Sequence, residues 1–95
     1  MNEIRYLAST YFHPDYDLEA NSPVGVVVKF REAESSATIS ALRREIVQLL
    51  SDERDDNALA AAWLNLAGAA YDPRSDDLTF REWFSEIVKV LDGRR

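Results

Sequence analysis

Ser22-Pro23-Val24-Gly25-Val26-Val27-Val28-Lys29-Phe30-Arg31-Glu32 reads two ways, and the choice separates a mixed fold from an all-helical one. Its four valines favour a strand, and Gly25 weakens a helix interior. Against that, Ser22 is a good N-cap and Pro23 suits the first helical position. No other segment of the chain looks like a strand, and a lone strand would leave its backbone groups unpaired. The segment is therefore read as a helix over Pro23–Glu32.

Working outward, four more helices follow from the apolar spacing. Towards the N-terminus, Ile4, Leu7, Ala8 and Tyr11 fall on one helical face, giving a helix over Glu3–Tyr11. Pro14 disfavours helical dihedrals at His13, so this helix stops near Phe12. Beyond the valine run, Ile39, Leu42, Ile46 and Leu49 stripe a helix over Ser36–Leu50. Leu59, Trp63, Leu66 and Ala70 stripe another over Asp55–Ala67, with Gly68 helping to end it. Asp52, Glu53, Asp55 and Asp56 stand at its start, where the positive end of the helix dipole favours them. Phe80, Trp83, Phe84, Ile87, Val88 and Leu91 form the strongest apolar face, on a helix over Phe80–Leu91. Thr79 and Glu82 spell a capping box before it, and Arg94 and Arg95 suit its C-terminal end. The expected fold is all-α: a compact bundle of about five short helices, one domain over residues 1–95.

The chain has 95 residues, 46% of them hydrophobic, and no cysteine. Disulfides, thiolate metal sites and cysteine nucleophiles are thereby excluded, and a single histidine excludes every His-pair metal motif. No apolar leader or membrane-spanning stretch is visible, so the expectation is a soluble cytoplasmic protein that engages no membrane. Eleven Lys and Arg stand against 17 Asp and Glu, a net charge of −6. The average surface repels a nucleic-acid backbone and attracts a basic partner.

Chemistry is hard to find in this composition. His13 has Asp15 nearby to orient it, but no serine sits in a nucleophile elbow. A small enzyme built on Asp15 and His13 therefore has little to work with, and His13 reads better as a backbone partner at a helix end. Asp15-x-Asp17-x-Glu19 opens like a calcium loop, yet Ala20 and Val26 occupy the required Gly and Glu positions. Asp72, Asp76 and Asp77 lack the spacing of a metal motif, and three scattered glycines make no phosphate loop. No cofactor, metal or catalytic set is expected.

Charge placement is what remains. Residues 13–22 hold Asp15, Asp17 and Glu19 with no Lys or Arg, a local −3. Residues 51–77 hold seven acids against Arg54 and Arg74, a local −5. Asp52–Asp56 reads best as helix capping. Asp15–Glu19 and Asp72–Asp77, flanked by Tyr16 and Tyr71, read equally as solvated loops or as a surface that steers and holds a partner.

Three motifs carry a family resemblance. Tyr11-Phe12-His13-Pro14-Asp15-Tyr16 resembles the Tyr-Phe-His-x-Asp-aromatic signature of a group of contact-dependent growth inhibition immunity proteins (CdiI). Leu66-Ala67-Gly68-Ala69-Ala70-Tyr71-Asp72-Pro73 is similar to their Leu-x-Gly-x-x-Tyr-x-Pro segment, and Thr79-Phe80-Arg81-Glu82-Trp83-Phe84 to their Thr-x-Arg-Glu-Trp-Leu segment. The resemblance spans roughly residues 6–91. It departs at Pro14, Tyr16 and Phe84, where the family pattern has Gln, Trp and Leu. It implies an all-helical, non-catalytic protein that binds and neutralises the C-terminal domain of a cognate toxin as a one-to-one heterodimer. Some toxins paired with such proteins are nucleases that cut transfer RNA, and an acidic inhibitor could occlude a basic cleft. The expected contacts are Asp15, Asp17, Tyr71, Asp72, Asp76 and Asp77. The alternative is an acidic helical adaptor for another basic partner.

The aromatic signature residues read as fold determinants rather than contacts. Trp83→Ala is expected to cost about 3–5 kcal/mol in chemical denaturation, as large aromatic truncations in cores do. A loss below about 1 kcal/mol would place the ring outside the core.

Overall fold

The computed structural model describes residues 2–18, 20–52 and 55–93. Glu19, Glu53 and Arg54, counted above in the acidic stretches, and Arg94 and Arg95, read as a cationic helix end, lie outside the described residues. In chain order the helices are α1 (Asn2–Tyr11), α2 (Pro23–Ala33), α3 (Ser36–Asp52), α4 (Asp56–Ala60), which runs on as a π-helix over Ala61–Leu66, and α5 (Phe80–Leu91). Short 3₁₀ turns form at Tyr16–Leu18 and Pro73–Asp76. No strand occurs among the described residues.

The valine-rich segment is thus helical. Ser22 accepts a hydrogen bond from the Gly25 amide at 3.0 Å, and Pro23 opens the first turn. Val26, Val27 and Phe30 are fully buried, chiefly against α5. Burial of that face outweighs the modest helix propensity of valine, as tertiary packing commonly does. Gly25 has a steric reason to be glycine. A Cβ there would lie 3.1 Å from the Ala20 Cβ and 3.3 Å from the Ser22 Oγ, so a larger residue would push the incoming loop a few tenths of an ångström off the first turn of α2.

The central helix is α5, which packs on α2, α3 and α4. Phe80, Trp83, Phe84, Ile87, Val90 and Leu91 are its buried residues, with Val88 half-buried. Its N-terminus is fully supplied with acceptors. The capping box of Thr79 and Glu82 is present, and the Asp56 carboxylate, from α4, accepts from the Phe80 and Arg81 amides at 3.0 and 2.9 Å. α1 is capped the same way, by a carboxylate from another helix: Glu45 of α3 accepts from the Glu3 and Ile4 amides at 2.8 and 3.1 Å. These acids hold helix to helix, satisfying orphan donors while opposing the positive end of each dipole.

The segment after Ala60 departs from the α-helical spacing. The Ala67 amide bonds the Ala62 carbonyl, an i→i+5 contact, so one extra residue enters the turn. The phase of the apolar stripe shifts with it. Trp63 and Ala67 face the core, whereas Leu66, placed on the stripe by a uniform 3.6-residue period, is 60% exposed and Ala70 is exposed too. Gly68, at φ +74, then ends the segment in a conformation that side chains disfavour.

Candidate functional site

Two loops leave this core on the same side: residues 12–22 after α1, and residues 67–79 before α5. The Ala70 amide donates to the Phe12 carbonyl at 2.9 Å, and the Trp63 indole N–H donates to the Tyr71 carbonyl at 2.8 Å. Rings complete the junction. Phe12 meets Trp63, Tyr71 and Trp83 at centroid distances of 5.3, 5.9 and 5.5 Å, and Tyr71 meets Trp83 edge-on at 4.9 Å. Tyr16 is held against Phe12 at 5.9 Å and Tyr71 at 5.7 Å. The loops therefore have fixed positions, although most of their outer residues face solvent.

Between them lies an open cleft of about 370 Å³ lined by Tyr16, Asp17, Ala20, Asn21, Ser22, Pro23, Tyr71, Ser75 and Asp76. Three of the six expected contact residues, Asp17, Tyr71 and Asp76, meet in it. Asp15 and Asp77 are exposed on the same two loops without lining the cleft. Among the described residues, the side chains of Asp15, Asp17 and Asp77 make no hydrogen bond or ion pair. No Lys or Arg lines the cleft.

Tyr71 and Asp72 differ from the exposed contacts expected of them. The Tyr71 ring is 2% exposed, drawn into the core because its neighbours are Phe12 and Trp83. Its hydroxyl emerges and donates to the Asp76 Oδ2 at 2.8 Å, so Tyr71 acts on the surface by positioning a carboxylate. Burial, reinforced by that hydrogen bond and the Asp76 charge, pushes the Tyr71 hydroxyl well above the usual tyrosine range. Tyr16 is raised too, by burial first and then by the charges of Asp17 and Asp76. Asp72 is paired with Arg74 at 2.7 Å and also accepts from the Arg74 amide at 2.9 Å. The Arg74 guanidinium holds this carboxyl below its ordinary range. The same guanidinium lies 5.4 Å from the centre of the Phe80 ring. Asp72 is thereby a local structural ion pair, and Asp77 ends the 3₁₀ turn at φ 61, a left-handed position that aspartate tolerates.

The other acidic stretch is architectural. Asp55 caps α4 by accepting from the Asn57 amide, and Asp56 caps α5. His13 uses Nδ1 to accept from the Asp15 amide at 3.1 Å. That contact involves the Asp15 backbone rather than the carboxylate-to-ring bond a catalytic pair would use. Among the described residues no group of three or more His, Asp or Glu is arranged to hold a metal ion, and no helix is long and apolar enough to cross a membrane. The arrangement offers carboxylate acceptors beside neutral tyrosines, a combination that suits ammonium or guanidinium groups.

The comparisons with known proteins agree with this architecture. A family model described as CdiI immunity protein matches residues 1–91. A solved structure, described as the crystal structure of a CdiA-CT/CdiI complex from Y. kristensenii 33638, superposes with a TM-score of 0.89. It is 21% identical, and the match covers 95% of this chain and 96% of that one; at this identity the likeness is one of fold. No curated protein matches the chain.

The raised Tyr71 hydroxyl gives a signed pH dependence. Its folded value lies above the unfolded value of about 10, so its contribution to stability is complete below that pH and lost as pH rises through the folded value. Thermal unfolding followed from pH 8 to 11 should show a falling midpoint, and Tyr71→Phe should flatten that fall while lowering the midpoint at pH 8. An unchanged slope in the variant would show that Tyr71 does not carry the alkaline sensitivity.

Proposed function

The chain belongs to the CdiI immunity protein family, and from that premise we propose that it binds and neutralises the C-terminal domain of a cognate toxin, using the two acidic loops as its binding face. The observation that carries this reading is the distribution of charge. Several acids elsewhere on the described surface are engaged as caps or in ion pairs: Glu45 and Asp56 cap helices, and Asp92 pairs with Arg43 at 2.7 Å; on the loop face itself Asp72 pairs with Arg74. Asp15, Asp17, Asp76 and Asp77 stand on the loop face with no cation lining the cleft between them. Unpaired carboxylates on a rigid base steer a positively charged partner and keep it in register.

A basic nuclease that cuts transfer RNA fits this face. Such an enzyme must attract phosphate, so the surface around its active site is positive. A set of carboxylates seated there would match that charge and exclude RNA. The protein would act in the cytoplasm, where the incoming toxin meets its substrate, and it needs no chemistry of its own. Its Tyr71 would serve indirectly, because the buried ring and its hydroxyl hold Asp76 in place.

Calorimetric binding to the cognate toxin domain tests the reading. Replacing Asp15, Asp17, Asp76 and Asp77 by Asn should weaken binding by up to about fivefold per carboxylate at low ionic strength. It should also flatten the dependence of affinity on salt, with helicity unchanged. Affinity and salt dependence equal to wild type would end the electrostatic account.

A further inference from the structure

Leu18 is 81% exposed, the most exposed large apolar side chain among the described residues. It sits in the 3₁₀ turn Tyr16–Leu18, shortly after Asp15 and next to the cleft-lining Asp17. Single exposed leucines are ordinary on a protein surface. Three further facts set this one apart. The turn is held rigid: the Tyr16 amide bonds the His13 carbonyl at 2.9 Å, the Leu18 amide bonds the Asp15 carbonyl at 3.0 Å, and the Tyr16 ring is pinned between Phe12 and Tyr71. The turn directs its tyrosine onto the core, and its leucine outward into solvent. Finally, Asp15 and Asp17 closely precede it without partners of their own, so the apolar tip stands next to two exposed acids.

That is the anatomy of a protein interface in small: an apolar centre and a charged rim. An ordered side chain that is already extended loses little freedom when it is covered, which favours tight seating. The unpartnered carboxylates of Asp15 and Asp17 in the same short stretch fix the chemistry of the partner. A neutral or acidic surface would leave Asp15 and Asp17 desolvated and unpaired, whereas a basic surface meets them. We propose that Leu18 is the apolar anchor of the loop face, entering a recess on a basic protein whose cationic side chains ring that recess and pair with Asp15, Asp17 and Asp76. The proposal rests on the reading of this face as the toxin-binding one and adds a contact that charge alone does not supply. On this account the acids set encounter and salt sensitivity, and Leu18 sets the salt-independent part of the affinity.

The test is binding of the cognate toxin domain to wild-type, Leu18→Ala and Leu18→Asp protein across a range of salt concentrations. Leu18→Ala should bind about tenfold to a hundredfold more weakly at every salt concentration, with the slope of log Kd against log salt unchanged. Leu18→Asp should bind more weakly still, despite its added negative charge. Since Leu18 buries little in the free protein, the thermal midpoints of both variants should stay close to that of wild type. Wild-type affinity in Leu18→Ala, or stronger binding in Leu18→Asp, would overturn the anchor while leaving the electrostatic reading intact. Failure of the wild-type protein to bind this domain would overturn the reading of the face and the anchor with it.

Discussion

Phe12, Trp63, Tyr71 and Trp83 meet edge to face where α1, the π-helix, the loop before α5 and α5 itself converge. The outer face of the molecule hangs from this cluster. Each ring removes a large apolar area from water, and edge-to-face pairing adds to that gain. Because the rings come from four separate segments, they close the two loops onto each other as well as onto the core. The indole of Trp63 adds direction by donating to the Tyr71 carbonyl, which sets the path of the chain into Asp72–Asp77. Tyr71 in turn passes its position outward to Asp76 through its hydroxyl. A surface carboxylate is thus oriented by a core ring.

Much of the fold is legible in the residues because the signals are local. The Thr79–Glu82 capping box marks the start of α5, and Ser22-Pro23 marks the start of α2 even though the valines that follow favour strands. The shift of register after Ala60 was not legible. An i→i+5 contact is written in no residue type, and an alanine-rich run accepts either spacing, so Leu66 fell on the wrong face. The carboxylates that cap α1 and α5 were equally hidden. Glu45 lies 42 residues from the amide it caps at Glu3, and Asp56 lies 24 residues from Phe80; no local pattern links them.

The candidate site was legible in part for the same reason. Acid-rich loops, the first of them lacking Lys or Arg altogether, stand out in sequence, and the fold brings Asp17 and Asp76 to one cleft. What composition could not separate was engaged from free acids. Asp72 and Asp76 are four residues apart in one loop, yet one is bound to Arg74 and the other is aimed by Tyr71. Tyr71 looked like a contact because it neighbours acids and a proline; its ring belongs to the core because Phe12 and Trp83 surround it. The net charge of −6 therefore understates the design. Carboxylates at helix ends bind the bundle together, while Asp15, Asp17 and Asp77 on the two loops face solvent.

Hydrogen–deuterium exchange of the protein alone and with its cognate toxin domain tests this division most directly. The account predicts that complex formation slows exchange at backbone amides of residues 13–18 and 72–78, with the exposed side of α3 unchanged. Protection confined to α3, with both acidic loops exchanging as in the free protein, would contradict it.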